Sequence, residues 1–122
     1  MRRSPLARSK VVVLLLLAAC ARAQAAGTAD GQALYESRCA GCHSLDHDRI
    51  GPRHRGLFGR KAGSVAGFEY SPALRASRIV WSAQSLERWL AGPERLIPGQ
   101  RMNYSVPDPA DRAALIAYLE AN

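Results

Sequence analysis

Two cysteines and a histidine stand close together in the chain, in the order Cys39-Ala40-Gly41-Cys42-His43. This C-x-x-C-H spacing is the attachment pattern for c-type haem. The two thiols add across the two vinyl groups of the macrocycle, and the adjacent histidine lies beneath the iron and ligates it. The motif therefore predicts a chain that folds around one covalently bound haem.

A thioredoxin-like dithiol and half of a zinc site are the alternative interpretations of this motif. A dithiol oxidoreductase is expected within a strand-rich βαβ pattern, and no strand-period run of useful length occurs in the sequence. A zinc site needs further ligands, and the remaining histidines, His47 and His54, stand at unconvincing spacing. Haem attachment is the favoured interpretation.

The first 25 residues are predicted to be an export signal. Four cations precede an unbroken apolar run of nine residues, 11–19, and a small-x-small cleavage pattern ends at Ala25. A run of this length is too short to cross a hydrocarbon core ~30 Å thick. Cys20 offers an alternative, because residues 17–20 resemble a lipobox in which Cys20 would be lipidated and become the mature N-terminus.

The charge of the remaining chain is close to balanced. Five of the 17 basic residues lie within the first 25 positions, so 12 basic residues face 10 acidic ones in residues 26–122. This balance gives no basis for a nucleic-acid partner, and the length allows one domain of ordinary size. Only Cys39 and Cys42 remain as a possible disulfide pair, and so small a loop would stabilise little.

Hydrophobic periodicity and capping residues predict an all-α domain with three main helices. The first is expected over residues 28–40, with Thr28 or Asp30 as its cap. The second begins after the capping residue Ser82 and is halted at Gly92 by the glycine and the proline beside it.

The third main helix begins after Asp108, with Pro109 at its first helical position. A short helix is expected to begin after the capping residue Ser71, with Pro72 at its first helical position, and to end at about Ala76. Between the first helix and this short helix, residues 45–67 are rich in Gly, Arg and Pro and predict an ordered loop. A loop of this length is uncommon in a compact domain unless something orders it, and a bound cofactor would do so.

The haem iron also needs a sixth ligand or an open position. Apart from the initiator, Met102 is the one methionine, and it comes after a Pro98-Gly99 turn that can bring it to the opposite haem face. Ligation by Met and His suits electron transfer, since it raises the potential and leaves no open site. His47 is too near His43 to reach the other face. His54 is not excluded by its spacing, but solvent or a haem propionate is its expected neighbour.

Further motifs accompany the haem attachment sequence: Gly51-Pro52, Gly56-Leu-Phe-Gly-Arg-Lys61, Gly67-Phe-x-Tyr70-Ser, Trp81, Pro98-Gly99-x-x-Met102 and Leu115-Ile-Ala-Tyr118-Leu119. Together they resemble class I cytochrome c, in particular its mitochondrial-type branch found in bacteria, from about Gly31 to Leu119. The resemblance implies a single-domain cytochrome c fold, with three main helices plus short helices and loops around one haem c. It also implies that Gly31 and Tyr35 pack on the last helix, where glycine permits a close crossing.

The resemblance assigns further residues to the haem pocket. Pro52 is similar to the proline whose carbonyl accepts the Nδ1–H of the ligating His43, a bond that fixes the tautomer. Arg60, Tyr70 and Trp81 match residues that hydrogen-bond buried haem propionates. A buried carboxylate is costly unless it is paired, so a cation and two neutral donors suit that role.

Three residues depart from the family pattern, and the segment from Asn103 to Pro107 is shorter than in many relatives. Arg55 stands where the family usually has a histidine, with His54 displaced by one, so the loop hydrogen bond of that histidine is not assured. Trp89 stands where the family often has tyrosine near the methionine ligand, and Leu74 replaces a common polar residue. The last two changes are expected to make the pocket drier and to raise the potential slightly.

These features predict a non-enzymatic, monohaem one-electron carrier between periplasmic or membrane redox proteins such as respiratory complexes, an oxidase or a dehydrogenase. The mature protein is expected to be a periplasmic monomer without a transmembrane span, or to be lipid-anchored at Cys20. A dedicated acceptor subunit of a periplasmic dehydrogenase, an open-site peroxidase and a gas sensor are the alternative functions. A basic docking rim is expected from four arginines: Arg38, Arg49, Arg95 and Arg101.

Overall fold

Five helices succeed one another in residues 30–122, which are the part of the chain that this computed structural model describes. Their bounds are residues 30–38 for α1, Pro72–Ala76 for α2, Ala83–Ala91 for α3, Pro93–Leu96 for α4 and Pro109–Glu120 for α5. Within these residues the only strand-like pairing is one antiparallel bridge between Lys61 and Val80, so the all-α prediction is confirmed. The predicted signal over residues 1–25 and the candidate anchor Cys20 lie outside the described residues.

Helices α3 and α5 begin directly after the residues that the sequence predicts as caps. The Ser82 hydroxyl accepts the backbone N–H of Ser85 at 3.2 Å, and the Ser85 hydroxyl accepts that of Ser82 at 2.8 Å, which forms a capping box. The Asp108 carboxylate accepts the N–H groups of Ala110 at 2.7 Å and Asp111 at 3.3 Å. These bonds satisfy donors that have no partner inside the helix.

One predicted cap is wrong, and one short helix was not predicted. Asp30 is already helical and is therefore not the cap of α1, while Thr28 lies outside the described residues. Gly92 ends α3 as predicted, but the chain does not leave helical structure there, because Pro93 opens the short helix α4. Proline lacks the N–H that the first turn of a helix leaves unpaired, so it starts a helix as readily as it stops one.

The apolar core lies where α3 and α5 pack together and where α1 crosses α5. An ion pair of 2.8 Å between Arg38 and Asp111 also joins α1 to α5. No helix among residues 30–122 has both the length and the apolar composition needed to cross a membrane. The core is built mainly from these buried side chains: Tyr35, Trp81, Leu86, Trp89, Leu90, Val106, Leu115, Ile116 and Leu119.

Gly31 allows α1 to approach α5 closely, as predicted. A Cβ atom at this position would lie 2.7 Å from the Cβ of Tyr118 and still closer to the carbonyl oxygen of Ala114. One turn further on, the rings of Tyr35 and Tyr118 are in contact, with centroids 5.2 Å apart. The crossing therefore depends on the missing side chain.

Replacing Gly31 by alanine is expected to destabilise the protein by about 2 kcal/mol, because the added methyl group overpacks the crossing. On an isolated helix the same change stabilises by up to ~1 kcal/mol. The sign of the change in stability therefore separates overpacking of the crossing from helix propensity. Urea unfolding of the haem-loaded protein measures it, with the exposed α1 position Ser37→Ala as the control. A Gly31→Ala protein as stable as the wild type would mean that the helices do not cross this closely.

The segment predicted as a loop, residues 45–67, contains no helix and is held by pairing with residues 79–81. The N–H of Gly59 donates to the carbonyl of Trp81 at 2.9 Å, and the N–H of Trp81 donates to the carbonyl of Arg60 at 3.0 Å. The N–H of Ala62 donates to the carbonyl of Ile79 at 2.8 Å. This pairing places Arg60 and Trp81 side by side.

Candidate haem site

A cavity of about 320 Å³ opens between α1, α3, α5 and the long loop. This volume is within the range of pockets that hold small-molecule ligands and cofactors, about 300–1,000 Å³. Leucine and tryptophan side chains from α3 and α5 line much of it. All eight residues that the sequence analysis assigned to the haem site line this one cavity: Cys39, Cys42, His43, Pro52, Arg60, Tyr70, Trp81 and Met102.

The two cysteines lie on a turn directly after α1. The N–H groups of Cys42 and His43 both donate to the carbonyl of Cys39, at 3.0 and 2.9 Å. Both thiols are free, Cys39 partly buried and Cys42 exposed. Burial raises the pKa of the Cys39 thiol to about 11, although nearby Arg38 opposes the shift. Burial therefore favours the neutral thiol form of Cys39.

His43 is buried, and its ring is fixed from the loop side. Its Nδ1 lies 2.8 Å from the carbonyl oxygen of Pro52, so Nδ1–H donates there and Nε2 is left as the unprotonated nitrogen. Burial lowers the pKa of His43, while the bond to Pro52 opposes that shift. Gly51 makes the close approach possible, since a Cβ atom there would lie 2.6 Å from Nε2 of the same ring.

Met102 reaches the cavity on a segment that is held by residues on either side of it. The buried side chain of Gln100 donates to the Asn103 side chain at 2.9 Å and accepts the Asn103 N–H at 3.1 Å. Gly99 adopts a positive φ of 87° in the turn before them. This Gln100–Asn103 pairing was not predicted from the sequence, because amide side chains in a loop have no periodic pattern.

Arg60, Tyr70 and Trp81 line the cavity and carry polar groups of the kind that suit carboxylates. The Arg60 guanidinium donates to the carbonyl of Arg53 at 2.7 Å, and burial lowers its pKa. The Tyr70 hydroxyl accepts a backbone N–H at 3.2 Å, which leaves its own proton for another acceptor. A cation beside neutral donors is the environment that a buried propionate needs.

The residues that depart from the family pattern have distinct surroundings. Arg55 points to the surface, where its guanidinium lies 3.1 Å from the Asp46 carboxylate. Its side chain therefore does not replace the loop hydrogen bond that the family's histidine makes. Trp89 and Leu74 both line the cavity, and Trp89 packs edge-on against Trp81 with centroids 5.5 Å apart. The predicted effect of these two residues on the potential stays a prediction.

His54 does not lie in open solvent, and its ring already contacts two neighbouring side chains. Its Nδ1 lies 3.1 Å from the hydroxyl of Tyr35, and its ring stacks on His43 with centroids 4.1 Å apart. Burial, with smaller contributions from His43 and Arg60, lowers the pKa of His54 to about 3. Its neighbours in the described chain are therefore Tyr35 and His43, and the expected propionate neighbour stays a prediction. Tyr35 and His54 are 19 positions apart, and no motif connects them.

The arrangement fits haem c better than a metal ion alone. Two thiols, an imidazole with a free Nε2, a thioether and carboxylate-binding groups surround one apolar cavity. Among residues 30–122 no group of three or more His, Cys, Asp or Glu side chains is placed to hold a metal ion. The zinc interpretation therefore finds no support in the described part of the chain.

Comparison with known proteins gives the same result. The cytochrome c family model matches residues 28–122. Cytochromes c of Cochliobolus lunatus and Arabidopsis thaliana are each 43% identical over 94 residues, covering 74% of this chain and 87% and 84% of theirs. Cytochrome cH from Methylobacterium extorquens has a similar structure, with a TM-score of 0.74 and 33% identity over 78% of this chain and 98% of that one.

The chain belongs to the cytochrome c family and to its class I. The resemblance found in the sequence and the predicted cytochrome c fold are thereby confirmed. Its cofactor is haem c, which the family binds covalently through two cysteines, here Cys39 and Cys42. Members of this family carry electrons on a single haem.

Proposed function

We propose that this protein carries one electron at a time between periplasmic or membrane redox proteins, with His43 and Met102 as the two axial ligands of its iron. The observation that carries this proposal is that Met102 lines the same cavity as His43. When bound, haem c supplies the one-electron chemistry of its iron. Ligation on both faces would leave no coordination position for a substrate, which favours a carrier over an enzyme.

Each residue of the site then has a definite task. Cys39 and Cys42 fix the cofactor by thioether bonds, and Pro52 orients His43 through its carbonyl. The leucine and tryptophan walls exclude water, which disfavours the extra positive charge of the ferric state. Arg60 and Tyr70 offset the charge of the propionates.

The cavity reaches the surface beside residues that would meet a redox partner. Cys42, Ile50 and Tyr104 line it and are also exposed, with Ile50 at 79%. The four arginines of the predicted rim are exposed, but Arg38 is paired with Asp111. Three cations therefore remain for docking, enough to favour a partner with acidic groups around an apolar centre.

The first 25 residues would determine the location. A signal cleaved after Ala25 would release the carrier into the periplasm, whereas lipidation at Cys20 would keep it at the membrane surface. The mass of the mature, haem-loaded protein separates the two, because only the second form retains Cys20 and gains acyl chains.

Optical spectra of the exported, haem-loaded protein test the ligand pair. The wild type is expected to be low-spin, to bind no CO when reduced, and to show the weak red absorption band of methionine bound to ferric iron. Met102→Ala should lose this band and bind CO, since its iron has an open position. Leu74→Ala, which alters the same cavity without removing a ligand, is the control.

A CO-sensitive wild type would contradict the His43/Met102 carrier and favour the peroxidase or gas-sensor alternatives. A low-spin wild type that acts only with one dehydrogenase would instead favour the acceptor-subunit alternative. Absence of covalently bound haem after export would overturn the entire proposal.

A further inference from the structure

Three aromatic rings form a continuous series from α1 to the proposed iron ligand. The Tyr35 hydroxyl lies 3.1 Å from Nδ1 of His54, and the two rings meet edge to face at 70°. The His54 ring in turn lies nearly parallel to that of His43, with centroids 4.1 Å apart and planes inclined by 23°. His54 therefore covers one face of the His43 imidazole.

His54 is held firmly in this position. Its backbone N–H donates to the carbonyl of Ser44 at 2.9 Å, and its own carbonyl accepts the N–H of Leu57 at 3.0 Å. Tyr35 is buried, with 4% of its surface exposed, and packs against Tyr118 of α5. The pair is thus attached to the helical core as well as to the loop.

The hydrogen bond satisfies Nδ1 of His54 in either tautomer of the neutral imidazole. The Tyr35 hydroxyl donates to an unprotonated Nδ1 and accepts from a protonated one. A partly buried imidazole without this partner would cost free energy, because its Nδ1 would lose hydration and gain no hydrogen bond. A leucine at position 54 would fill the same space without that requirement, but it would present no flat ring to the face of His43.

We propose that His54 is a positioning residue, whose ring is anchored by Tyr35 at 3.1 Å and stacked on His43 at 4.1 Å, and which sets the plane of the ligating imidazole. The Pro52 carbonyl fixes the direction of the Nδ1–H bond, and the stacked ring limits rotation about that direction. The bond to Pro52 alone would leave the His43 ring free to rotate about it, so the bond and the stacked ring together define the plane of the imidazole. The inference rests on the proposed ligation of iron by His43.

The orientation of the ligand plane can be measured directly in the haem-loaded ferric protein. It changes the EPR g-values and the spread of the haem methyl shifts in NMR spectra, and both are independent of electron-transfer activity. In His54→Leu we expect changed g-values, a changed methyl spread and a higher reduction potential, since a polar ring has been removed beside the iron ligand. His54→Phe retains a flat ring and should return the g-values toward those of the wild type.

Two further variants separate positioning from general packing. Tyr35→Phe keeps every ring and removes only the anchoring hydroxyl, so it remains foldable and should shift the g-values in the same sense as His54→Leu but less. His47→Leu makes the same substitution at an exposed position of the same loop and should change nothing.

The outcomes for this role and for the proposed function are distinguishable. Wild-type g-values and potential in both His54→Leu and Tyr35→Phe would overturn the positioning role, even if His54→Leu lowered the melting temperature. Such a result would show His54 to be a space-filling residue and would leave the ligand pair intact. Absence of the methionine band from the wild type would contradict the carrier itself.

Discussion

Replacing Gly51 by alanine is expected to disrupt the proposed iron ligand His43, because the added methyl group has no room beside its ring. The new Cβ atom would lie 2.5 Å from Nδ1 and 2.6 Å from Nε2 of His43, so the ring or the backbone must move. Movement of the backbone would strain the bond from the Gly51 N–H to the carbonyl of Cys42, now 2.8 Å, and the adjacent bond from His43 to Pro52. We expect a loss of about 3 kcal/mol in stability and a mixed-spin spectrum.

Gly41→Ala is the matched control for this substitution. A Cβ atom at Gly41 meets nothing within 4 Å, and the attachment motif accepts any residue between its cysteines. Optical spectra and denaturant unfolding of the two haem-loaded variants measure the difference. If both variants retained the wild-type spectrum and stability, the close approach of Gly51 to His43 would be wrong.

Replacing Arg112 by methionine is expected to destabilise the protein by about 3 kcal/mol, because two backbone carbonyls and a carboxylate lose a charged donor. The Arg112 guanidinium donates to the carbonyls of Val106 at 2.8 Å and Pro107 at 2.7 Å, and to Glu87 at 2.7 Å. Its side chain is only 12% exposed. These bonds hold the segment after Met102 against α3 and α5, so a weaker methionine band should accompany the loss of stability.

Arg88→Met controls for the loss of an arginine from the same region, since Arg88 is an exposed residue of α3. Arg112→Lys keeps the charge but not the planar guanidinium group, so its stability should lie between those of Arg112→Met and the wild type. Denaturant unfolding and the intensity of the red band give the two readouts. Equal stability of Arg112→Met and Arg88→Met would contradict a structural role for these bonds.

The sequence predicted the elements whose signals are local. Caps at Ser71, Ser82 and Asp108 each use a side chain that bonds a backbone N–H two or three residues away, and all three are present. The short helix α4 was missed, because Pro93 after a glycine indicates the end of a helix as well as its beginning. Local patterns therefore predict where a helix starts better than whether a second helix begins at its end.

Sequence motifs predicted which residues form the haem site, but not the contacts that these residues make with one another and with their neighbours. A motif names residues such as Cys39 and Met102 but says nothing about the Tyr35–His54 bond, which depends on how α1 and the loop pack. The same holds for Gln100, whose bond to Asn103 positions Met102 from a place that the family motif leaves unspecified. Contacts between residues distant in sequence require the three-dimensional arrangement.

The spacing of the ligands along the chain has a consequence for assembly. Both cysteines and His43 occupy residues 39–43, while Met102 stands 59 positions later. Thioether formation needs only the short stretch, but Met102, the proposed sixth ligand, would reach the iron only after closure of a long loop, which costs chain entropy. On this proposal the cofactor can be attached to an open polypeptide, and the methionine would join last. For the same reason, under mild denaturation this ligand should depart first, while the thioethers retain the haem.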